Sequence, residues 1–230
     1  MTTNGHQEKR ARIDLGKPLF HTIIDVMVDY ENFVHQEKLD ITKLELEIRL
    51  GMVITGNRRW RSIIECGGCL AIDEDFKRSS SLYFKAGSDV VMLGRVKRIL
   101  ANEGFQGQTK PQCRQRISDD HIRWEVDDQG SIINKSLENK QKLRVRDVAM
   151  LSYEYDFRVA IAVENPIVES NQISDNLDPS SWVIERVKRR VTYTNPRCHW
   201  IVDITEVTTT NKGKTDKEID FEIEIELLPR

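Results

Sequence analysis

The chain has 230 residues, 31% of them charged, and a formal net charge of -2. That length allows one large domain or two small ones, and the near balance of charge excludes a general nucleic-acid binder, so any anion site must be local. No apolar run approaches the roughly 20 residues of a membrane span, and polar residues 1–12 hold no signal-peptide core, so the protein is expected to be intracellular and not secreted.

Residues 1–16 read as a disordered tail ahead of a single domain at 17–230. From Pro18 to His35, Phe20, Ile23, Ile24, Met27, Tyr30 and Val34 fall at helical spacing, with Pro18 suited to a first turn. The period then changes to two. In 42–50, Glu45, Glu47 and Arg49 share one strand face and Leu44, Leu46, Ile48 and Leu50 the other. Cys66-Gly-Gly-Cys69 has no second cysteine pair and no redox context, so reduced thiols beside a glycine turn are expected. The five histidines show no metal-ligand spacing.

A strand is expected at 79–85, and a helix at Ser88–Ala101 with Ser88 as N-cap. Gly104–Lys110 reads as a loop, followed by strands at 120–126, 130–136 and 153–164. In the last of these, Tyr155, Phe157, Val159, Ile161 and Val163 oppose Asp156, Arg158, Ala160, Ala162 and Glu164. A loop is expected at Asn165–Ser181. In 182–194, Arg186, Lys188 and Arg190 share a face, while Glu185 and Arg189 break the apolar pattern and should be exposed. Asp203 and Thr205 share a face in 198–208, a loop spans Thr208–Lys217, and strand 218–228 places Glu222, Glu224 and Glu226 together.

Strand after strand carries one apolar and one charged face. A closed antiparallel barrel with a charged interior, covered outside by two helices, accommodates this pattern. Glutamate is depleted in strands. Carboxylates two residues apart sit about 7 Å from each other, a repulsion of about 2.4 kcal/mol per pair at an effective dielectric near 20. A hard divalent cation would relieve it, and oxygen ligands suit magnesium or manganese. Arginine and lysine on a facing strand match phosphate oxygens, and metal plus basic clamp suits phosphoryl transfer. The plain alternative, solvated charged faces, leaves unexplained why acids gather on the two terminal strands and bases on 182–190. No GxxxxGK[ST], CxxxxxR or GxSxG motif is present.

Glu45-Leu-Glu47-Ile-Arg49, Arg186-Val-Lys188-Arg-Arg190, Asp203-Ile-Thr205 and Glu222-Ile-Glu224-Ile-Glu226 stand in that order. Together they resemble the triphosphate tunnel metalloenzymes, most of all the RNA 5′-triphosphatases of fungi, protozoa and large DNA viruses. The resemblance implies an α+β, mainly antiparallel, eight-stranded tunnel. It implies a Mg2+- or Mn2+-dependent enzyme that removes the γ-phosphate of nascent mRNA 5′ ends, the first step of cap formation. By position, Glu45, Glu47 and Glu226 resemble metal ligands, with Glu222 and Glu224 beside them. Lys188 and Arg190 resemble the γ-phosphate clamp, and Glu164 the carboxylate that orients the attacking water. Arg123, Lys135, Arg158, Arg186, Asp203 and Thr205 complete the expected substrate contacts. Ile201 stands where the family often has arginine. The implied partners are triphosphate-ended RNA and a separate RNA guanylyltransferase, with no membrane or DNA. The implied location is the nucleus, or a replication site for a viral chain. Inorganic triphosphate, nucleoside triphosphates or thiamine triphosphate are the alternative substrates, and an anion-binding barrel without catalysis is the alternative of another class.

Overall fold

A computed structural model describes residues 14–15, 19–36, 41–61, 69–72, 74–119, 123–134, 138–150, 153–166 and 180–227. Its elements in chain order are β1 (Asp14–Leu15), α1 (Leu19–Gln36), β2 (Leu44–Thr55), β3 (Arg58–Arg59), β4 (Cys69–Ile72), α2 (Glu74–Ser79) and β5 (Leu82–Ala86). There follow α3 (Val90–Asn102), β6 (Gln106–Thr109), β7 (Cys113–Ser118), β8 (Arg123–Val126), β9 (Ile132–Asn134), β10 (Glu138–Met150), β11 (Asp156–Pro166), β12 (Trp182–Thr194), β13 (Trp200–Asn211) and β14 (Lys217–Leu227).

Among the described residues, one 14-stranded sheet contains every strand, and every pairing is antiparallel. Its central run is β10-β11-β2-β14-β13-β12-β7-β8. Hydrogen bonds do not close this run into a ring among the described residues; the path ends on β1 and β9. The two acidic strands from opposite ends of the chain are direct neighbours, with Glu47 opposite Glu226 and Arg49 opposite Glu224.

The apolar parity of each strand forms the core, and the two long helices cover it. Val26 and Tyr30 of α1 pack on Leu44, Leu46, Val159, Ile161 and Val163. Leu93 and Leu100 of α3 pack on Val202, Ile204 and Ile223. Each such side chain contributes about 1.5–3 kcal/mol when removed from water. The other parity faces away from α1 and α3 and bears the charges; at one end of the sheet α2 packs on it, with Phe76 against Val53, Leu70, Ile72, Leu82 and Ala149 and Lys77 bound to Asp147. Where β2 runs past the site, β5 takes over the edge left by β14, and Phe84 lies against Gly51. A Cβ at Gly51 would stand 2.6 Å from the Phe84 ring and strike the Lys85 carbonyl, so this close approach requires glycine. No helix among the described residues is long and apolar enough to cross a membrane.

Several sequence expectations need correction. Asp89, not Ser88, caps α3: its carboxylate accepts from Met92 N at 2.7 Å. The expected strand 79–85 is β5, preceded by the end of helix α2. β6 occupies part of the expected loop 104–110, and β13 continues to Asn211. Strands β3, β4, β7 and β10 fall where the sequence pattern predicts none. Asp14 and Leu15, expected in a tail, pair with Ala71 and Leu70. The rest of that tail, Cys66, Lys135 and most of the loop 165–181 lie outside the described residues. Cys69 is buried. Arg189 is exposed as expected, but Glu185 is half-buried, because Arg116 binds it at 3.1 Å and Arg114 approaches to 3.9 Å.

Candidate functional site

Strand register assembles the site. Pairing across β2, β14, β13 and β12 puts Glu45, Glu47 and Arg49 on one sheet face with Glu222, Glu224, Glu226, Ile201, Asp203, Thr205, Arg186, Lys188 and Arg190. Residues more than 170 positions apart thus meet only because β14 returns beside β2.

Two carboxylate triads form on this face. Glu45, Glu47 and Glu226 offer oxygens within 4.8 Å of one another, and so do Asp203, Glu224 and Glu226. Glu226 belongs to both. Glu47 is 3% exposed and Asp203 is 2% exposed. Two guanidiniums are bonded into the group. Arg49 binds Glu47 and reaches Glu224 at 3.1 Å, bridging the two acidic strands. Arg190 binds Asp203 Oδ2 at 2.8 Å and lies 4.0 Å from Glu224. The neutralisation is incomplete. Burial, then the neighbouring carboxylates of Glu45, Glu224 and Asp203, push Glu226 up to about 7, and Arg190 offsets this only in part. Asp203 Oδ1 is buried with no hydrogen-bond donor, and so is Thr205 Oγ1. A buried carboxylate oxygen without a donor is costly unless a cation completes it. Clustered carboxylate oxygens are the donor set of a hard divalent cation, so the residues present fit one.

The basic strand faces this cluster. Lys188 has no ion-pair partner among the described residues. Burial, then the nearby charge of Arg186, lowers its pKa. Arg186 binds Glu222 at 2.6 Å, so Glu222 holds an arginine instead of joining either triad. Asp203, expected as a substrate contact, stands among the clustered acids. Ile201 opposes Glu226 on the site face, which establishes an aliphatic residue where the family often has arginine.

Other expected residues stand at the margins. Arg123 is exposed, opposite Ile117. Glu164 pairs with Lys140 through the β11 backbone. Arg158 grips buried Asp147 in a two-bond fork at 2.6 and 3.1 Å and stacks over Phe84 at 4.7 Å. Sequence reasoning missed Arg49 as the bridge between strands. It also missed Cys113, whose thiol donates to Glu125 at 3.2 Å and is pushed up to about 11 by burial and that carboxylate. Arg49 carried a signal, since its position two residues after Glu47 puts it on the same face. Cys113 carried none.

An antiparallel sheet with acids and bases gathered on the face turned away from α1 and α3 defines a class, the triphosphate tunnel enzymes of the capping type. A sequence profile described as mRNA capping enzyme, beta chain, matches residues 105–230, and the chain belongs to that family. Among solved structures, the S. pombe Pct1 RNA triphosphatase is similar, with a TM-score of 0.67 at 17% identity over 95% of this chain and 84% of that one. The same protein in complex with the Spt5 CTD gives a TM-score of 0.65 at 18% identity, over 91% and 78% of the two chains. Identities of this size carry the fold. A search of curated protein sequences returns no match.

Proposed function

We propose that this protein is a metal-dependent RNA 5′-triphosphatase that removes the γ-phosphate of nascent mRNA and leaves a diphosphate end. The observation that carries the reading is the pair of carboxylate triads sharing Glu226, set on the same face as Lys188 and Arg190. Glu45, Glu47, Glu226, Asp203 and Glu224 would hold the cation, and carboxylate oxygens favour Mg2+ or Mn2+. A bound cation supplies neutralisation of the charge that develops on the phosphoryl oxygens.

The chain's own groups do the rest. Lys188 and Arg190 bind the terminal phosphate, Lys188 as a mobile point charge and Arg190 as a planar fork. Glu222 holds Arg186 at the next position along the strand. Arg49 fixes Glu47 and Glu224, so two strands stay in register while the acids are loaded. Glu164 orients the attacking water, and Arg123 and Lys135 are further contacts for the triphosphate. Residues 17–230 act as one domain.

Closure of the eight central strands into a tunnel belongs to this reading. The end of β9 and the start of β10 are separated by residues 135–137 only, and β10 opens the run that β8 ends. A separate RNA guanylyltransferase would receive the diphosphate end, and the site of action is nuclear, or a replication site if the chain is viral. The test is release of phosphate from triphosphate-ended RNA, ATP and inorganic triphosphate, with Mg2+, with Mn2+ and with chelator. RNA should be the preferred substrate, and chelation should abolish release.

A further inference from the structure

The charged face ends abruptly along β2. Glu45, Glu47 and Arg49 are followed on the same parity by Gly51 and Val53. Phe84 and Leu82 of β5 pair opposite Val53 and Thr55, and Leu70 and Ile72 of β4 pair opposite Ala149 and Asp147. Asp147 pairs with Arg158 and Arg158 with Arg49, so all of these side chains stand on the site face. There Val53, Leu70, Ile72, Leu82 and Ala149 form one buried apolar cluster, each no more than 6% exposed, with Trp60, Phe76 and Phe84 packed against it. None of the other apolar clusters of the described residues lies on this face.

Helix α2 is fastened over this cluster. Its Phe76 meets Trp60 edge-on at 5.9 Å, and its Lys77 binds buried Asp147 at 2.9 Å. Asp147 also holds Arg158, whose guanidinium lies over Phe84 at 4.7 Å. On β12 the basic stripe ends the same way: beyond Arg186 stands Ile184, paired with Ile117 of β7. A cavity of about 430 Å3 beside β5 and β14 is lined by Asp89, Glu154 and Asp220 with one base, Lys85, so like charge disfavours phosphate there. The opposite end of the site face bears Glu45, Glu226 and Thr194.

We propose that the site is a blind lumen, stopped at the α2 end by this apolar plug and entered only from the end that bears Glu45, Glu226 and Thr194, so that phosphate is the last product to leave. The inference rests on the triphosphatase reading above, tunnel closure included. Arg190 lies about 13 Å and Lys188 about 20 Å along β12 from Thr194, so the γ-phosphate that they bind has to travel foremost. Hydrolysis then leaves inorganic phosphate between the plug and the diphosphate end of the RNA. A packed apolar cluster offers that anion neither space nor hydrogen-bond donors. The RNA therefore departs first, and phosphate follows through the same mouth.

The test is the product-inhibition pattern of wild type turning over a 3′-labelled, 5′-triphosphate RNA octamer with Mg2+. Inorganic phosphate, as the last product, competes with substrate for the empty enzyme. At its inhibition constant it should raise the apparent KM about twofold and leave kcat unchanged. The diphosphate-ended octamer, as the first product, rebinds above trapped phosphate. At its own inhibition constant it should lower kcat about twofold at saturating substrate. A single turnover reads the same order directly: the anisotropy of the labelled octamer should fall before a reporter of free phosphate responds. A purely competitive diphosphate octamer, phosphate that lowers kcat, or free phosphate ahead of RNA departure overturns the blind lumen. No phosphate release at all overturns the triphosphatase reading itself, and the release order with it.

Discussion

Two sets of buried carboxylates lie on the same face of the same sheet, and their surroundings differ. At one end of β11, Asp156 is 1% exposed and accepts from Val53 N at 2.9 Å, Met150 N at 2.8 Å and Arg59 Nε at 3.1 Å, with a further ion pair to Arg59. Asp147 is matched by Arg158 and Lys77. Near the facing ends of β2 and β14, five carboxylates gather around Arg49 and Arg190, Glu226 is driven toward its neutral form, and Asp203 Oδ1 has no donor. The first set is completed by the fold. The second is completed only when something positive arrives. Burial alone does not separate a structural acid from a functional one; the tally of donors does.

The contrast breaks most visibly through stability. Asp156→Ala should cost about 3–5 kcal/mol, because it strips a buried guanidinium of its partner and two backbone amides of their acceptor. Urea unfolding measures it, and a cost under about 1 kcal/mol would show that Asp156 is not structural. Glu47→Gln should do the reverse. We expect phosphate release to fall at least about 100-fold, roughly 2.7 kcal/mol of barrier, while the melting temperature holds or rises. Loss of folding together with activity would erase the distinction between the two sets.

A smaller effect sharpens the contrast. Added Mn2+ at about 100 times its Kd should stabilise wild type by about 2.7 kcal/mol. It should leave Glu226→Gln nearly unmoved, since Glu226 belongs to both triads. Thermal scans with and without Mn2+ read this, and an equal gain in both proteins places the cation elsewhere.

The smallest effect is a pH dependence. Glu226 has its folded pKa raised to about 7 from the ordinary 4.5, so between these values the folded protein retains a proton that the unfolded chain has released. Its stabilising contribution is full below about pH 4.5 and is lost as pH rises through 7. Metal-free wild type should weaken over that window and Glu226→Gln should not. Cation-induced stabilisation should grow over the same range, because the cation displaces the proton. Parallel pH curves for the two metal-free proteins would contradict this.

Much of the charged face was legible because β2, β12 and β14 keep a strict period of two over their whole functional stretch. Strand β10 was missed for a physical reason: a register shift between Lys142 and Arg144 moves the sequence pattern to the other face midway. Strand β7 was missed because neither face is apolar; Arg114 and Arg116 turn outward to Glu185, while Cys113 and Gln115 share the face of Lys188 and Arg186. The six residues of α2 are too few for a helical period to show. Asp203 was assigned to substrate and Glu222 to metal because the choice between them depends on contacts across β12, β13 and β14. Strand pattern gives the face of a residue but not its partner across the sheet.

The central claim is that the acidic cluster serves triphosphate-ended RNA through a divalent cation. The direct measurement is γ-phosphate release from a 5′-triphosphate RNA oligonucleotide by wild type and by Glu45→Ala, each with Mg2+ or Mn2+ and with chelator. The account predicts one phosphate released per RNA end by wild type with cation, a diphosphate end left behind, and background rates in the other arms. Release that survives chelation, or a folded Glu45→Ala protein as active as wild type, would contradict it.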